Sequence, residues 1–352
     1  MKKNILFLYI LIFASAISCI GGKTTVTPSA GENVIEKGIQ VLEKYGAPKT
    51  SQGMLILNRY RFYLSELEKG HAYIDWRPYT TSPINNATVF LRLMDQGMIG
   101  KIVKNTREDL DAFHGITGFL ERAYVSVVDG SLDSYLVYIP HSFQPPQKYP
   151  LVVMLHGYGD SAYLNPLSPA HFDFLKACEK RRVIMVAPCA RYNPRGQMST
   201  SMEDAETDIL QVLDLVKQDY PVDENRIYLT GLSMGGFGTY WLASRQPELF
   251  AAIAPVCGIW SGTHYTRVNL DALKDIPVLL VHGDLDKTVP VSESRTAFEY
   301  LQSIGAEVEY REIKISQDDP WDYGIFGGHN AWDYAYMGTS LLDWLLEHKQ
   351  DR

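Results

Sequence analysis

Arg226-Ile227-Tyr228-Leu229-Thr230-Gly231-Leu232-Ser233-Met234-Gly235-Gly236-Phe237-Gly238 has Gly-x-Ser-x-Gly at its centre. Ile227, Tyr228 and Leu229 form the short apolar run of a strand buried on both faces, and Phe237 to Ser244 reads as a helix. A chain passing from strand to helix so quickly must bend sharply at Ser233. Only small neighbours such as Gly231, Gly235 and Gly236 leave room for that bend, which lifts the serine hydroxyl above a sheet. The five letters alone are a weak signal; the strand before them and the helix after them supply the context.

Outward from this stretch the same alternation continues. Tyr124 to Val128 and Tyr135 to Ile139 flank Asp129-Gly130-Ser131, a hairpin signal, and Pro145-Pro146 closes the pair. Leu151 to Leu155, Val183 to Ala187, Ala252 to Val256 and Val278 to Val281 are further short apolar runs, most separated by helix-compatible segments. This predicts an α/β fold, a mostly parallel sheet with helices on both faces. Ser201-Met202-Glu203-Asp204 has capping-box spacing and opens a helix through Ile209, Val212, Leu213 and Val216.

An alcohol is a poor nucleophile at neutral pH, so Ser233 needs a base within reach and that base needs an orienting acid. His282-Gly283-Asp284-Leu285-Asp286 follows the Val278 to Val281 strand, at the carboxyl end where open α/β sheets build their sites. Asp286 is the preferred acid; Asp284 is expected to hold the loop through hydrogen bonds to its own backbone. His329, in Gly327-Gly328-His329-Asn330, comes later in the chain, as the hydrolase order Ser, acid, His requires, and is the preferred base. His282 precedes the acid and is expected to be structural; His348, among charged residues near the terminus, is expected to be solvated. A tetrahedral intermediate needs N–H donors aimed at its oxyanion. The amide of Met234 is one, and His156-Gly157-Tyr158-Gly159 can present that of Tyr158 as the other, with His156 organising the loop. Trp260 and Trp321 are candidates for aromatic walls of a substrate pocket.

The chain has 352 residues, 46% of them hydrophobic and 21% charged, enough for one large domain and an appendage. Met1-Lys2-Lys3 is basic, and the apolar run Ile5 to Ile17 has the length of a signal-peptide core, too short to span a bilayer. Ser15-Ala16-Ile17-Ser18-Cys19 resembles a bacterial lipobox, which makes Cys19 the expected lipidation site of an exported, membrane-anchored lipoprotein of the cell envelope. The expected divisions are a signal peptide at 1–18, a tether at 19–30, a small helical region at 31–115 and the α/β domain at 120–348. Loss of Lys2 and Lys3, with no acidic residue before Cys19, takes the formal charge from −8 to −10. That balance argues against a nucleic-acid partner. Cys178, Cys189 and Cys257 have no metal-ligand spacing and read as buried thiols, with one disulfide such as Cys178 to Cys189 open in an oxidising compartment.

Leu151 to Asp160, Tyr220 to Gly258, Ile276 to Pro290 and Gly327 to Leu346 resemble the α/β-hydrolase superfamily, in its polyhydroxybutyrate-depolymerase, feruloyl-esterase and predicted-peptidase branch. The phrases Val222-Asp223-Glu224-Asn225-Arg226-Ile227-Tyr228-Leu229-Thr230-Gly231-Leu232-Ser233-Met234-Gly235-Gly236 and Phe250-Ala251-Ala252-Ile253-Ala254-Pro255-Val256-Cys257-Gly258 carry the likeness most strongly. The resemblance covers about residues 120–348 and implies Ser233 as nucleophile, Asp286 as acid and His329 as base, with no metal or cofactor. The expected function is a serine esterase acting on a small-molecule or oligosaccharide ester. A peptidase of the same fold and a non-catalytic binding lipoprotein are the alternatives.

Overall fold

The computed structural model describes residues 104–105, 108, 113–130, 132–157, 169–189, 201–261, 268–315 and 327–351. The chain divides into two compact units, Met1–His114 and Gly115–Arg352. The expected signal peptide, tether and helical region lie almost wholly outside the described residues, as do Cys19, Tyr158 and Trp321.

The second unit is built on one eight-stranded sheet, in the order β1-β2-β4-β3-β5-β6-β7-β8. Its strands are β1 (Gly118–Val125), β2 (Leu132–Ile139), β3 (Tyr149–Leu155), β4 (Ile184–Pro188), β5 (Val222–Leu232), β6 (Ala252–Val256), β7 (Val278–Gly283) and β8 (Val308–Ile313). β1 and β2 form an antiparallel hairpin whose second strand pairs antiparallel with β4; β3 to β8 run parallel. Every residue of β3, β4, β6 and β7 is buried, which is why these segments read as unbroken apolar runs rather than alternating ones.

The helices are α1 (Pro169–Arg181), α2 (Met202–Asp219), α3 (Met234–Arg245), α4 (Ser292–Ser303), α5 (Ala331–Tyr336) and α6 (Ser340–Leu346). The chain steps from β3 to β4 in one direction and from β4 to β5 in the other. Right-handed crossovers therefore put α1 on one face of the sheet and α2, α3 and α4 on the other. α5 and α6 pack with α1. α2 starts where the capping box places it: the Ser201 hydroxyl accepts from the Asp204 N–H at 3.1 Å.

Two local expectations need correction, and one strand carries no sequence signal. β1 ends at Val125, because the Ser126 hydroxyl donates to Asp208 Oδ1 at 2.6 Å and accepts from Val128 N–H, drawing the chain out of the strand and leaving Val127 in the turn. β8 has no apolar run to announce it; Val308-Glu309-Tyr310-Arg311-Glu312-Ile313 is a half-exposed edge strand whose backbone pairing with β7 makes it a strand. His348 is packed rather than solvated: its ring lies 4.4 Å from that of Trp344, and its nitrogens meet Trp344 O at 2.9 Å and Glu307 Oε1 at 3.2 Å.

The reversal of direction between β4 and β5 makes the carboxyl ends of β3 and β5 a topological switch point, where chains leaving adjacent strands diverge and open a crevice. Gly157 follows β3 there and Ser233 follows β5.

Candidate active site

Ser233 links β5 to α3 with φ 54° and ψ −113°, a left-handed conformation that an L-residue adopts only when its surroundings impose it. The surroundings are explicit. The Ser233 N–H donates to Val256 O on the neighbouring strand at 2.8 Å, and its carbonyl accepts the N–H of Phe237 at 3.0 Å as α3 begins. A side chain at Gly235 would put its Cβ 2.2 Å from the Leu155 carbonyl oxygen, so the first turn of α3 can lie on the end of β3 only because that residue is glycine. Met234 is the first residue of α3, whose amino end carries the positive pole of the helix dipole.

The loops after the later strands converge on this serine. His329 precedes α5, is 5% exposed, and has Nε2 2.8 Å from Ser233 Oγ. Its Nδ1 donates to Asp286 Oδ2 at 2.6 Å, which leaves Nε2 to accept the serine proton. The Trp332 ring stands edge-on to the imidazole at 5.0 Å. Gly328 permits this turn: it has φ 87°, and a Cβ there would approach Leu285 O to 2.6 Å. The Lys287 N–H bonds Gly327 O at 3.1 Å and ties the histidine's loop to the acid's.

Asp286 is more heavily bonded than sequence reasoning anticipates. Its Oδ1 accepts the backbone N–H groups of Thr288 and Val289, each at 2.9 Å, while Oδ2 accepts from His329 and also from His282 Nε2 at 3.1 Å. Burial pushes the carboxyl up, but the hydrogen bonds from His282, His329 and Val289 outweigh it and hold the group down at about 2. The sequence signal for His282 is its position four residues before the acid, at the turn where β7 ends. Chain order, which asks for the base after the acid, points away from it.

Asp284 does hold the loop, but by reaching across to the residues just past β8 rather than to its own backbone. Oδ1 accepts the Ile315 N–H at 2.9 Å and Oδ2 pairs with Lys314 at 3.2 Å. His156 ties the ends of β3 and β4 together, with Nδ1 2.9 Å from Gly157 O and Nε2 3.0 Å from Cys189 O; burial pulls its pKa down against those two bonds. Trp260 is 8% exposed, and its indole N–H donates to Glu293 O at 2.9 Å, so little of its surface is left to line a pocket.

The three described cysteines are free thiols, so Cys178 and Cys189 are not joined. Cys178 is wholly buried on α1 and burial raises its pKa. Cys257 is equally buried, and its sulfur, an Asp286 oxygen and a His329 nitrogen lie within 4.8 Å of one another, a spacing that a metal ion could span. The four N–H donors already on Asp286, the Nδ1–H of His329 among them, occupy the carboxylate's lone pairs, so the donor set suits a carboxylate and not a cation.

A family profile described as phospholipase/carboxylesterase matches residues 142–321, spanning β3, the Ser233 turn and Asp286. The chain belongs to this family. Its fold is that of the α/β hydrolases. Among curated relatives, dipeptidyl-peptidase 5 of Porphyromonas gingivalis is 25% identical over 228 residues, 54% of this chain and 33% of that one. The bifunctional acetylxylan esterase/xylanase of Neocallimastix patriciarum is 30% identical over 155 residues, 43% of this chain and 21% of that one. The chain thus spans a third or less of the length of these curated relatives. Among solved structures, a thermostable esterase superposes with a TM-score of 0.50 at 28% identity, covering 66% of this chain and 63% of that one. Esterases and a peptidase both stand among the relatives of this family member.

Proposed function

We propose that this family member is a serine esterase that cleaves carboxylic esters, of the carbohydrate-linked acyl type, through an acyl-enzyme. The observation that carries the reading is the continuous series from Asp286 through His329 to Ser233, with contacts of 2.6 and 2.8 Å. His329 Nε2 takes the Ser233 proton as Oγ attacks the ester carbonyl. The N–H groups of Met234 and Tyr158 then hold the oxyanion, and the imidazolium returns the proton to the leaving alcohol. Water repeats the cycle on the acyl-serine. Asp286 keeps the proton of His329 on Nδ1 and balances the imidazolium. Trp260 and Trp321 are the residues assigned to contact with the acyl or sugar group.

Esterase chemistry is favoured by the acetylxylan esterase relative at 30% identity and the thermostable esterase at 28%. A peptidase is the second reading, favoured by the longer match, 228 residues, to dipeptidyl-peptidase 5. The basic start, the apolar run Ile5 to Ile17 and Cys19 support an exported lipoprotein of a bacterial envelope. No helix among the described residues is long and apolar enough to cross a membrane.

Labelling with a fluorophosphonate tests the nucleophile: wild-type protein takes the label and Ser233→Ala does not, while remaining folded and inactive. An unlabelled, folded wild type would overturn the enzyme reading. Turnover of p-nitrophenyl acetate and methyl ferulate without cleavage of dipeptide amides supports the esterase; the reverse pattern gives the site to a peptidase.

A further inference from the structure

Asp286 Oδ2 receives two imidazoles, and the serine mechanism uses one of them. His282 lies in β7, fully buried. Its Nε2 faces Asp286 Oδ2 at 3.1 Å and Val289 O at 3.0 Å, both acceptors only, so the ring proton sits on Nε2 and is shared between them. Its Nδ1 lies 2.7 Å from the hydroxyl of Ser294, which is buried in the first turn of α4 and can donate to it. One ring therefore joins β7, the Asp286 loop and α4, with its tautomer set from both sides.

A histidine with both nitrogens partnered is ordinarily a core residue with satisfied polar atoms. Here the geometry asks more of it. The two backbone donors on Oδ1 come from adjacent residues, Thr288 and Val289, and hold that oxygen alone. A donor on Oδ2 holds the other. Among the described residues the donors on Oδ2 are His282 and His329 itself, and His329 must move its bonds during the reaction while His282 need not.

We propose that His282 is a positioning residue, holding Oδ2 of Asp286 at its 2.6 Å distance from His329 Nδ1 through the whole catalytic cycle, with Ser294 anchoring the far side of the ring at Nδ1. This inference rests on the serine mechanism proposed above. A donor that orients a reacting group through one intermediate side chain is worth roughly 10- to 100-fold in rate, and it acts on chemistry rather than on substrate binding.

The experiment is steady-state kinetics on p-nitrophenyl acetate for wild type and four variants, each checked for folding by thermal unfolding. His282→Leu is expected to lose roughly 10- to 100-fold in kcat with KM within about twofold. His282→Gln places an amide N–H where Nε2 stood, and is expected to recover most of that loss. Ser294→Ala keeps the ring and its Nε2 proton but removes the hydrogen bond that anchors Nδ1, and is expected to lose a few-fold in kcat at unchanged KM. It also tests the inference should His282→Leu fail to fold. Ser233→Ala separates the mechanism from the role of His282: if it turns over substrate, the serine mechanism fails. If it is inactive while folded His282→Leu, or Ser294→Ala, keeps wild-type kcat, the role of His282 is refuted and the serine mechanism stands. A loss in His282→Leu that glutamine does not relieve, or one carried in KM, is also against it.

Discussion

Replacing Asp286 by asparagine changes one atom of the proposed triad and disturbs four hydrogen bonds. The carboxylate meets four N–H donors, two on each oxygen. An amide has one acceptor oxygen, so two donors must face an NH2 group. If that pair were Thr288 and Val289, the clash could not be relieved, because backbone N–H groups have no other protonation state. The amide oxygen therefore stays with the backbone and the NH2 turns to the two histidines, which can shift their protons. His329 then carries its proton on Nε2, pointing at Ser233 Oγ, and has no lone pair there with which to act as base. A base in the wrong tautomer costs about 10⁴-fold in kcat, or about 5 kcal/mol of transition-state stabilisation. Asp284→Asn is the control. Its amide oxygen can keep the 2.9 Å bond from Ile315, and the pair it gives up, to a Lys314 side chain that is 76% exposed, is worth no more than about 1 kcal/mol of stability, so kcat should hold within about threefold. The assay is kcat on p-nitrophenyl acetate, with circular dichroism to show that both variants fold. Asp286→Asn retaining more than about 1% of wild-type kcat, or Asp284→Asn losing more than Asp286→Asn, would refute the assignment.

The close packing of α3 and the depressed acidity of Asp286 give two more tests. Gly235→Ala would drive a methyl to 2.2 Å from a backbone carbonyl that cannot rotate away, so it should destabilise by about 3 kcal/mol or more, read as a lowered urea midpoint; an unchanged midpoint would mean that α3 and β3 are not in close contact. The Asp286 carboxyl is held at about 2 against an ordinary 3.8, so its folded-state pKa is depressed. The stability it contributes, about 2 kcal/mol, is fully present above the unfolded value and is lost as pH falls from near 4 towards 2. Urea midpoints of wild type and Asp286→Asn should converge over that interval; a gap that persists at pH 2 would contradict the ionic account.

Much of the site is legible in the sequence because its chemistry leaves local marks. The Ser233 turn requires glycines at fixed offsets, the buried strands are apolar on both faces, and the acid and base occur in hydrolase order after the strands that carry them. Other features lack such marks. β8 mixes charged and apolar residues, breaking alternation at Arg311-Glu312, at the sheet edge, where pairing with β7 rather than burial defines it. Asp284 has the local look of a turn residue binding its own backbone, yet its partners, Lys314 and Ile315, are some thirty positions away, beyond β8. The charged neighbours of His348 suggest solvation, and its packing against Trp344 cannot be read from them.

Ser233 shows the division most clearly. Its identity as the serine of a tight strand-to-helix bend is a property of Gly231 to Gly236, since the glycines at 231, 235 and 236 leave room for the conformation, and the sequence by itself determined it. That Asp286 has two histidines on one oxygen was decided only by the tertiary structure. His282 and His329 are 47 positions apart, and no local pattern records that β7 and the loop before α5 end at the same carboxylate. The glycines that permit the bend stand beside the serine in the sequence, whereas a hydrogen bond to a shared acceptor depends on where the sheet delivers distant loops.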